Sequence, residues 1–597
     1  MSQLHFSPRP NQADQIHWQP WSQASFSRAK AEGKPVLLAI SAVWCHWCHV
    51  MDETSYSNQS IIEEINDRFI PIRVDNDQRP DINARYNMGG WPTTAFLTPD
   101  GEVLYGGTYI PPEALRQVLA QIEQFYNDPD SRLKVAQRVA EIKVARAARS
   151  RSPEGSDLDP STAADVVADL SSAFDEHHAG FGDEQKFPHV PALEFLLDVC
   201  ARGRDDHAQA MVERTLRAMA EGGMYDHVEG GFFRYSTTPD FSVPHFEKML
   251  EDLGGLLLAC ARASALFDHS GLRSVAVDVK RYMDEHLWNE RFGGYGGSQD
   301  ADEAYYALDA SGREGMRPPF VDPTIYTSWN AQAAIALLTA APLVEQASSE
   351  VSAWRHRGVV VLETLWNRLL SDGLMCRYYD GSAHVRGLLT DQAWCVWAAF
   401  AAFSCTGDPA WLTRGGDLLE RCDALYDAGS GVYVDRLLTK DDPGRLAEQT
   451  VSLDDNALMA RCLVGYAAFT GEQRFGRRAQ TILRRYARDY RSYGLFAAGY
   501  ASAVLDVLEP EVDIRVVGSI ADPVSIALRE VALRIVRPPV RVDNLDVAAD
   551  PERTAALGYT VQDPMAYLCR GTACFARTSA PADLAGLALG EPNVGGD

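Results

Sequence analysis

The sequence has little positive charge. Its 597 residues carry 56 lysines and arginines against 82 aspartates and glutamates, a net charge of −26, so the field of the chain repels phosphate backbones and anionic membrane surfaces. No basic patch offsets that field, and neither nucleic acid nor a membrane is expected as a partner. Long apolar runs are missing too: no stretch approaches the ~18 uninterrupted apolar residues that cross a bilayer. The opening MSQLHFSPRPNQADQ lacks the basic-then-apolar order of an export signal, which makes a cytoplasmic location the expectation. Eleven cysteines are widely spread except for the pairs Cys45/Cys48 and Cys569/Cys574; an odd count without export argues against a disulfide framework. Cys200, Cys260 and Cys462 sit inside apolar helical runs and read as small core residues.

What is present describes a multidomain globular protein. Apolar residues make up 46% and charged residues 23%, and the length exceeds one ordinary core. KPVLLAISA (34–42) reads as a buried strand, SNQSIIEEINDRF (57–69) as a helix, and FIPIRVD (69–75) and TTAFLTPDGEVLYGG (93–107) as further strands, the last turning at Pro99-Asp100-Gly101. This order predicts a small α/β domain over residues 1–149. The Ser, Pro, Gly and Asp content of 150–162 marks a linker. From 163 to 510 about twelve amphipathic helices are separated alternately by tight turns and long Gly/aromatic loops. Asp391-Gln-Ala opens a helix ending at Thr406-Gly407, and Asp455-Asn-Ala opens one ending at Thr470-Gly471, an offset of 64, with Trp411 and Phe475 following at the same place. That period fits a helical hairpin with its loop, and about six hairpins closing on themselves predict an all-α (α/α)6 toroid rather than a linear solenoid. The tail, 511–597, reads as a small C-terminal α/β appendage.

The string SAVWCHWCHVM (41–51) admits three chemistries. Cys45-His46-Trp47-Cys48-His49 satisfies a haem-attachment pattern, the two cysteines and two histidines suit a metal clamp, and the cysteines alone suit a redox dithiol. Context favours the dithiol: a strand leading in and a helix leading out place Cys45 at a helix N-terminus, where unpaired N–H groups and the dipole stabilise a thiolate. Cys45 is then the attacking thiol and Cys48 the resolving one, and the neighbouring His46, if protonated, would lower the pKa of Cys45 further. Pro92, in GGWP just before a strand, is a candidate cis-proline. Strand order, dithiol and Pro92 together resemble a thioredoxin fold, in which such a proline faces the dithiol and pairs with substrate backbone. Where that fold usually has a buried aspartate for proton transfer, this sequence has Ala39. Neither a metal nor any other cofactor is expected.

A longer resemblance runs along most of the chain. CHWCHVM, RVDNDQRPDI (73–82), GGWP, GGTYIPP (106–112), KFPH (186–189), GGMYDHVEGGFFRYS (222–236), VPHFEKML (243–250), DADE (300–303) and TSWN (327–330) occur in the order of the spermatogenesis-associated protein 20-like family. The resemblance implies a thioredoxin-like domain followed by a six-hairpin glycosidase-like toroid similar to N-acylglucosamine 2-epimerases. The chain departs from it at Asn76-Asp77-Gln78 and in the short segment between DADE and TSWN.

The toroid loops concentrate groups suited to sugar chemistry: Tyr225, Asp226, Arg234, His245, Glu247, Lys248, Asp252, Asp300, Asp302, Trp329 and Asn330 form the candidate pocket, with His227, Phe233, Tyr235 and Glu303 nearby. Hydrolysis needs paired carboxylates, epimerisation needs acid and base on both faces of a carbon, and aromatics stack on sugar rings. The plainer reading of Glu247, Lys248 and Glu251 is a charged helix start. The expectations are therefore a thiol-disulfide oxidoreductase, with a protein disulfide or thiol as partner, fused to a toroid that binds or modifies a sugar or sugar derivative. A sugar epimerase, isomerase or hydrolase with a regulatory thioredoxin-like domain, and a non-catalytic binding scaffold, are the alternatives.

Overall fold

A computed structural model describes residues 4–149, 155–203, 205–345, 347–559, 563–571 and 573–590. Part of the expected linker, 150–154, lies outside them. By contacts the chain divides into two compact units. The first comprises Met1–Pro153 together with Ser298–Asp302 and Val434–Thr450; the second comprises the remainder.

In the first unit, Val36–Ser41 is buried at every position and forms the central strand β1. Around it lie β2 (Ile70–Asp75), β3 (Thr93–Leu97) and β4 (Val103–Gly107), in the order β2-β1-β3-β4. β1 runs parallel to β2 and antiparallel to β3, which is antiparallel to β4. Side chains alternate across the pleat: Leu37 and Ala39 face one layer with Met51, Ile61 and Leu115, while Val36, Leu38 and Ile40 face another with Phe26, Ile82 and Tyr86. The helices supplying those layers are α1 (Gln23–Glu32), α2 (His46–Glu53), α3 (Gln59–Arg68), α4 (Pro80–Tyr86) and α5 (Pro112–Asn127), with α6 (Pro129–Arg149) beyond. Fold order and strand directions are those of a thioredoxin-like domain. The segment 434–450 joins this unit because Arg85 donates to the Arg445 and Glu448 carbonyls at 2.9 and 2.6 Å and pairs with Asp435 at 2.8 Å. A linear division of the chain assigns that segment and 298–302 to the toroid instead.

The second unit is built on α7 (Thr162–Ala173), α8 (Val190–Arg202), α9 (Asp206–Glu221), α10 (Leu250–Phe267), α11 (Ser270–Tyr282), two short helices α12 (Glu303–Tyr306) and α13 (Ala310–Glu314), α14 (Thr327–Val344), α15 (Ser348–Arg368), α16 (Leu389–Thr406), α17 (Pro409–Arg421), α18 (Leu453–Thr470), α19 (Gln473–Arg484) and α20 (Ala498–Leu508). The helices α8, α10, α14, α16, α18 and α20 each pack against the next, and α20 packs against α8, closing a ring. Around it, α9, α11, α15, α17, α19 and α7 each pack chiefly on one inner helix, most of them also touching the next. Inner helices are apolar nearly all round, as in α14, whereas an outer one such as α19 buries a single stripe. Among the described residues, no helix is long and apolar enough to cross a membrane.

The internal repeat has a physical cause. The fourth residue of three inner helices is an amide that clamps the backbone of a preceding strand. Asn330 accepts from Tyr295 N at 2.8 Å and donates to its carbonyl at 3.0 Å. Gln392 does the same to Met375 at 2.7 and 3.0 Å, and Asn456 to Tyr433 at 2.8 and 2.9 Å. Buried backbone groups need partners, and each amide supplies one donor and one acceptor.

The carboxyl-terminal appendage repeats the topology of the first sheet. β5 (Val512–Val517), α21 (Pro523–Ala532), β6 (Val540–Leu545), α22 (Pro551–Ala556), β7 (Met565–Arg570), β8 (Ala573–Thr578) and α23 (Leu584–Ala588) follow in sequence. The strand order is β6-β5-β7-β8, with β5 parallel to β6 and antiparallel to β7, and β7 antiparallel to β8. This module packs on the C-terminal ends of inner helices. Asn544 donates to the Phe403 and Ser404 carbonyls at 3.2 Å, and Arg553 to the Phe469 carbonyl at 3.0 Å.

Candidate functional site

Cys45 is the N-cap of α2: its Sγ accepts from Cys48 N at 3.2 Å, and it is joined to Cys48 in a disulfide. Strand β1 delivers the chain to that point and α2 carries it away, so the reduced sulfur sits where the helix offers its unpaired N–H groups. The Trp91–Pro92 peptide bond is cis and leads directly into β3. Both cysteines are nearly closed to solvent, at 4% and 2%, while Trp47 between them is 47% exposed.

The tryptophan preceding each of these elements is tied down. Trp44 donates its indole N–H to Asp77 at 2.7 Å, so one of the residues that departs from the family pattern anchors the approach to Cys45. Trp91 donates to Asn83 at 3.1 Å, and the two indoles meet edge to face at 5.7 Å. Ala39 is buried with no acid at its place. Asp52, buried nearby in α2, is held in an ion pair by Arg73 at 2.7 and 2.9 Å. His49, 8% exposed, lies with its Nδ1 3.7 Å from Asp300 Oδ2. Burial, with the cations around it, lowers its pKa to about 3 and keeps the ring neutral.

The sequence-predicted toroid pocket separates into three groups. Asp226, Lys248 and Arg313 form a buried knot: Lys248 Nζ reaches Asp226 at 2.8 Å and the Gly230 carbonyl at 2.8 Å, and Arg313 reaches Asp226 at 2.7 Å. Burial works against the Asp226 carboxylate, but the two cations outweigh it and hold its pKa low. Tyr225 is buried and donates to Asp278 at 3.3 Å, and Asn330 is wholly spent on its backbone clamp. Of the expected pocket residues, Tyr225, Asp226, Lys248 and Asn330 are thus engaged by internal partners. Asp300 and Asp302 belong to the first unit, with the dithiol, not to the toroid's; closeness in sequence to the toroid loops misplaces them. Glu247 and Lys248 precede α10 instead of starting it, since the helix begins at Leu250.

The third group stays together at the N-terminal ends of inner helices. His245 Nδ1 meets Glu247 at 2.8 Å, and its ring stacks on Tyr235 at 4.9 Å, which stacks on Phe187 at 4.7 Å. Burial pulls the His245 pKa down, and the Glu247 carboxylate more than restores it, for a net rise. In the first turn of α10, Glu251 and Asp252 remain open to solvent yet are ringed by protein. Loss of hydration, then the Glu251 charge beside it, pushes Asp252 up to about 7, against the pull of Arg234. Glu251 is raised by the same loss of hydration, opposed by Arg377 and a hydrogen bond from Trp329. Arg377 also bonds Ser328 at 2.7 Å and Asp391 at 3.1 Å and lies over the Trp329 ring.

Sequence reasoning missed Arg377, Asp391, Asp454 and the interior of the ring. Burial raises Asp391 to about 6, and loss of hydration raises Asp454, open to solvent but flanked by protein, to about 6 as well. Asp391 stood in the internal repeat, which was the available signal. Further in, a cavity of about 290 Å³ is lined by Glu194, Trp394, Trp397 and Arg461 from inner helices and by Arg541 of the carboxyl-terminal module. Glu194 there is raised by loss of hydration. The cavity thus combines acids, arginines and aromatics, while Asp252, Asp391 and Asp454 carry carboxyl groups raised toward neutrality.

Residues 8–144 match the family Thioredox_DsbH, described as a protein of unknown function, DUF255. Over 310 residues the chain is 36% identical to human spermatogenesis-associated protein 20, an overlap covering 48% of this chain and 39% of the human protein. The chain thus matches well under two thirds of that relative's length. An 82-residue stretch is 29% identical to the thiol:disulfide interchange protein DsbD of Pseudomonas fluorescens, covering 13% of this chain and 14% of that protein. Among solved structures, the cellobiose 2-epimerase of Spirochaeta thermophila aligns over 58% of this chain and 93% of its own, at 15% identity and a TM-score of 0.45. A D-mannose isomerase aligns over 59% and 98%, at 10% identity and a TM-score of 0.46. The resemblance implied by the motifs is present in the family match and in the similarity to spermatogenesis-associated protein 20.

Proposed function

We propose that the protein is a thiol-disulfide oxidoreductase whose working pair is Cys45 and Cys48, carried on a chain whose toroid binds or modifies a carbohydrate. The observation that carries the first part is the position of Cys45 as N-cap of α2, with its sulfur already accepting the Cys48 N–H at 3.2 Å. A thiolate there gains the N–H groups and dipole of the helix. It attacks a substrate disulfide, one substrate sulfur leaves as a thiol, and a mixed disulfide forms on Cys45. Cys48 then attacks Cys45, releasing the second substrate thiol and leaving the Cys45–Cys48 disulfide for an external dithiol to reduce. The stretch that is similar to a thiol:disulfide interchange protein supports this reading.

Both sulfurs are nearly closed to solvent, so a substrate disulfide must fit closely against Cys45 for the exchange. The test is dithiothreitol-linked reduction of insulin by the full chain: the parent should accelerate it and Cys45→Ser should not. Equal rates in both would overturn the proposal.

Carbohydrate chemistry is favoured by Asp252, an accessible carboxyl with its pKa pushed up to about 7 beside Glu251 and Arg234. A group poised near neutrality serves as general acid or base. A panel of free sugars and sugar derivatives should contain one that raises the melting temperature of the parent and not of Asp252→Ala; no shift across the panel would count against a sugar ligand.

A further inference from the structure

We infer that the carboxyl-terminal module carries a second thiol-disulfide site, made of Cys569, Cys574 and Tyr559, that exchanges with an external dithiol. Cys569 in β7 and Cys574 in β8 lie directly opposite one another and are joined in a disulfide. Their surroundings differ: Cys569 is 1% exposed, whereas Cys574 is open to solvent on the strand at the edge of the sheet. All seven remaining cysteines are buried and free, and Cys45 and Cys48 are closed to solvent as well, so Cys574 is the one open sulfur of the eleven.

A purely structural role accounts poorly for this bridge. The two residues are separated by only five positions, and a cross-link closing so short a loop restrains little of the unfolded chain. The module already has a core of its own, from Val512, Ile514 and Leu528 to Leu568 and Leu584.

Tyr559 supplies a hydrogen bond to the sulfurs. Its hydroxyl lies 3.4 Å from Cys574 Sγ and 3.7 Å from Cys569 Sγ. A disulfide sulfur has no hydrogen, so Tyr559 is the donor in both contacts. Its ring is held against Tyr567 at 5.0 Å and under the Arg515 guanidinium at 5.8 Å.

The exchange balances as follows. A thiolate of the external dithiol attacks the accessible Cys574 Sγ; the Cys569–Cys574 bond breaks and Cys569 leaves as a thiolate, receiving a hydrogen bond from Tyr559. The second thiol of the reductant attacks the mixed disulfide, freeing Cys574. Two electrons pass to the protein, the reductant becomes a disulfide, and its two protons end on Cys569 and Cys574.

The test uses the full chain with Cys45→Ser and Cys48→Ser, so that no signal comes from the amino-terminal pair and failure of one site leaves the other open to its own assay. The folded protein is treated with dithiothreitol or reduced glutathione, quenched with a maleimide and read by peptide mass spectrometry. The inference expects reduction without unfolding, glutathione on Cys574 with the maleimide on Cys569, and a roughly fivefold slower reduction in Tyr559→Phe, the effect of one lost hydrogen bond. Reduction only under denaturing conditions, glutathione on Cys569, or an unchanged rate in Tyr559→Phe would each overturn it.

Discussion

The amino-terminal and carboxyl-terminal sheets share strand order and strand directions, but they place different groups where the first strand hands over to a helix. In the first, β1 ends at Ser41 and Cys45 caps α2. In the second, β5 ends at Val517 and Asp522 caps α21, accepting from Val524 N and Ser525 N at 2.8 and 3.3 Å. A proline precedes the third strand in both, Pro92 before β3 and Pro564 before β7. The same backbone device, a helix N-terminus exposing N–H groups, is thus used once to hold a sulfur and once to be satisfied by a carboxylate. Topology supplies the socket and the residue at the cap decides whether it does chemistry.

The comparison can be broken most sharply at Cys45. Cys45→Ser removes the nucleophile and should cut thiol-disulfide turnover on the order of 1,000-fold, whereas Asp522→Ala should leave turnover at the parent rate; comparable losses in both variants would dissolve the distinction. Next in size is the ion pair under the dithiol. Asp52→Asn leaves Arg73 buried without its partner and should cost about 3–5 kcal/mol in urea denaturation; a loss under about 1 kcal/mol would mean that the pair is solvated.

The ring between the two sheets in sequence provides a pH-dependent contrast. The folded pKa of Asp252 is raised to about 7, above its unfolded value, so the fold prefers the protonated form. That stability is complete below the unfolded pKa of about 4 and is lost as pH rises through the folded value. Asp252→Asn mimics the protonated state and should therefore gain on the parent between pH 4 and pH 8, measured as the gap in urea midpoints; a gap constant with pH would contradict the shift. The smallest effect is expected at the other cap, where Asp522→Ala should lower stability by about 1 kcal/mol.

Local features were legible in the sequence. The strand, dithiol and helix run of residues 34–53 is contiguous, and Trp91-Pro92 stands next to a recognisable strand. The repeat at Asp391 and Asp455 was visible because the amide clamp at Gln392 and Asn456 recurs with it. Its third copy at Asn330 was read as a pocket residue, since an amide in a loop-rich region looks the same whether it meets a ligand or a backbone. Glu251, Asp391 and Asp454 were harder: an acid in a first helical turn ordinarily answers the dipole, and only closure of the ring removes enough water to lift their pKa values. Asp300 and Asp302 belong with the dithiol through tertiary contacts that sequence proximity does not encode. The second sheet was read only as an α/β appendage because its first loop lacks the cysteines that mark the first.

The most direct test of the account is the pH dependence of Cys45 alkylation by iodoacetamide in the reduced full chain carrying Cys48→Ser. If the N-terminus of α2 holds Cys45 as a thiolate, half-maximal reactivity falls below the free-thiol value of about 8.5; a midpoint at or above that value would contradict the claim that this cap is built for sulfur chemistry.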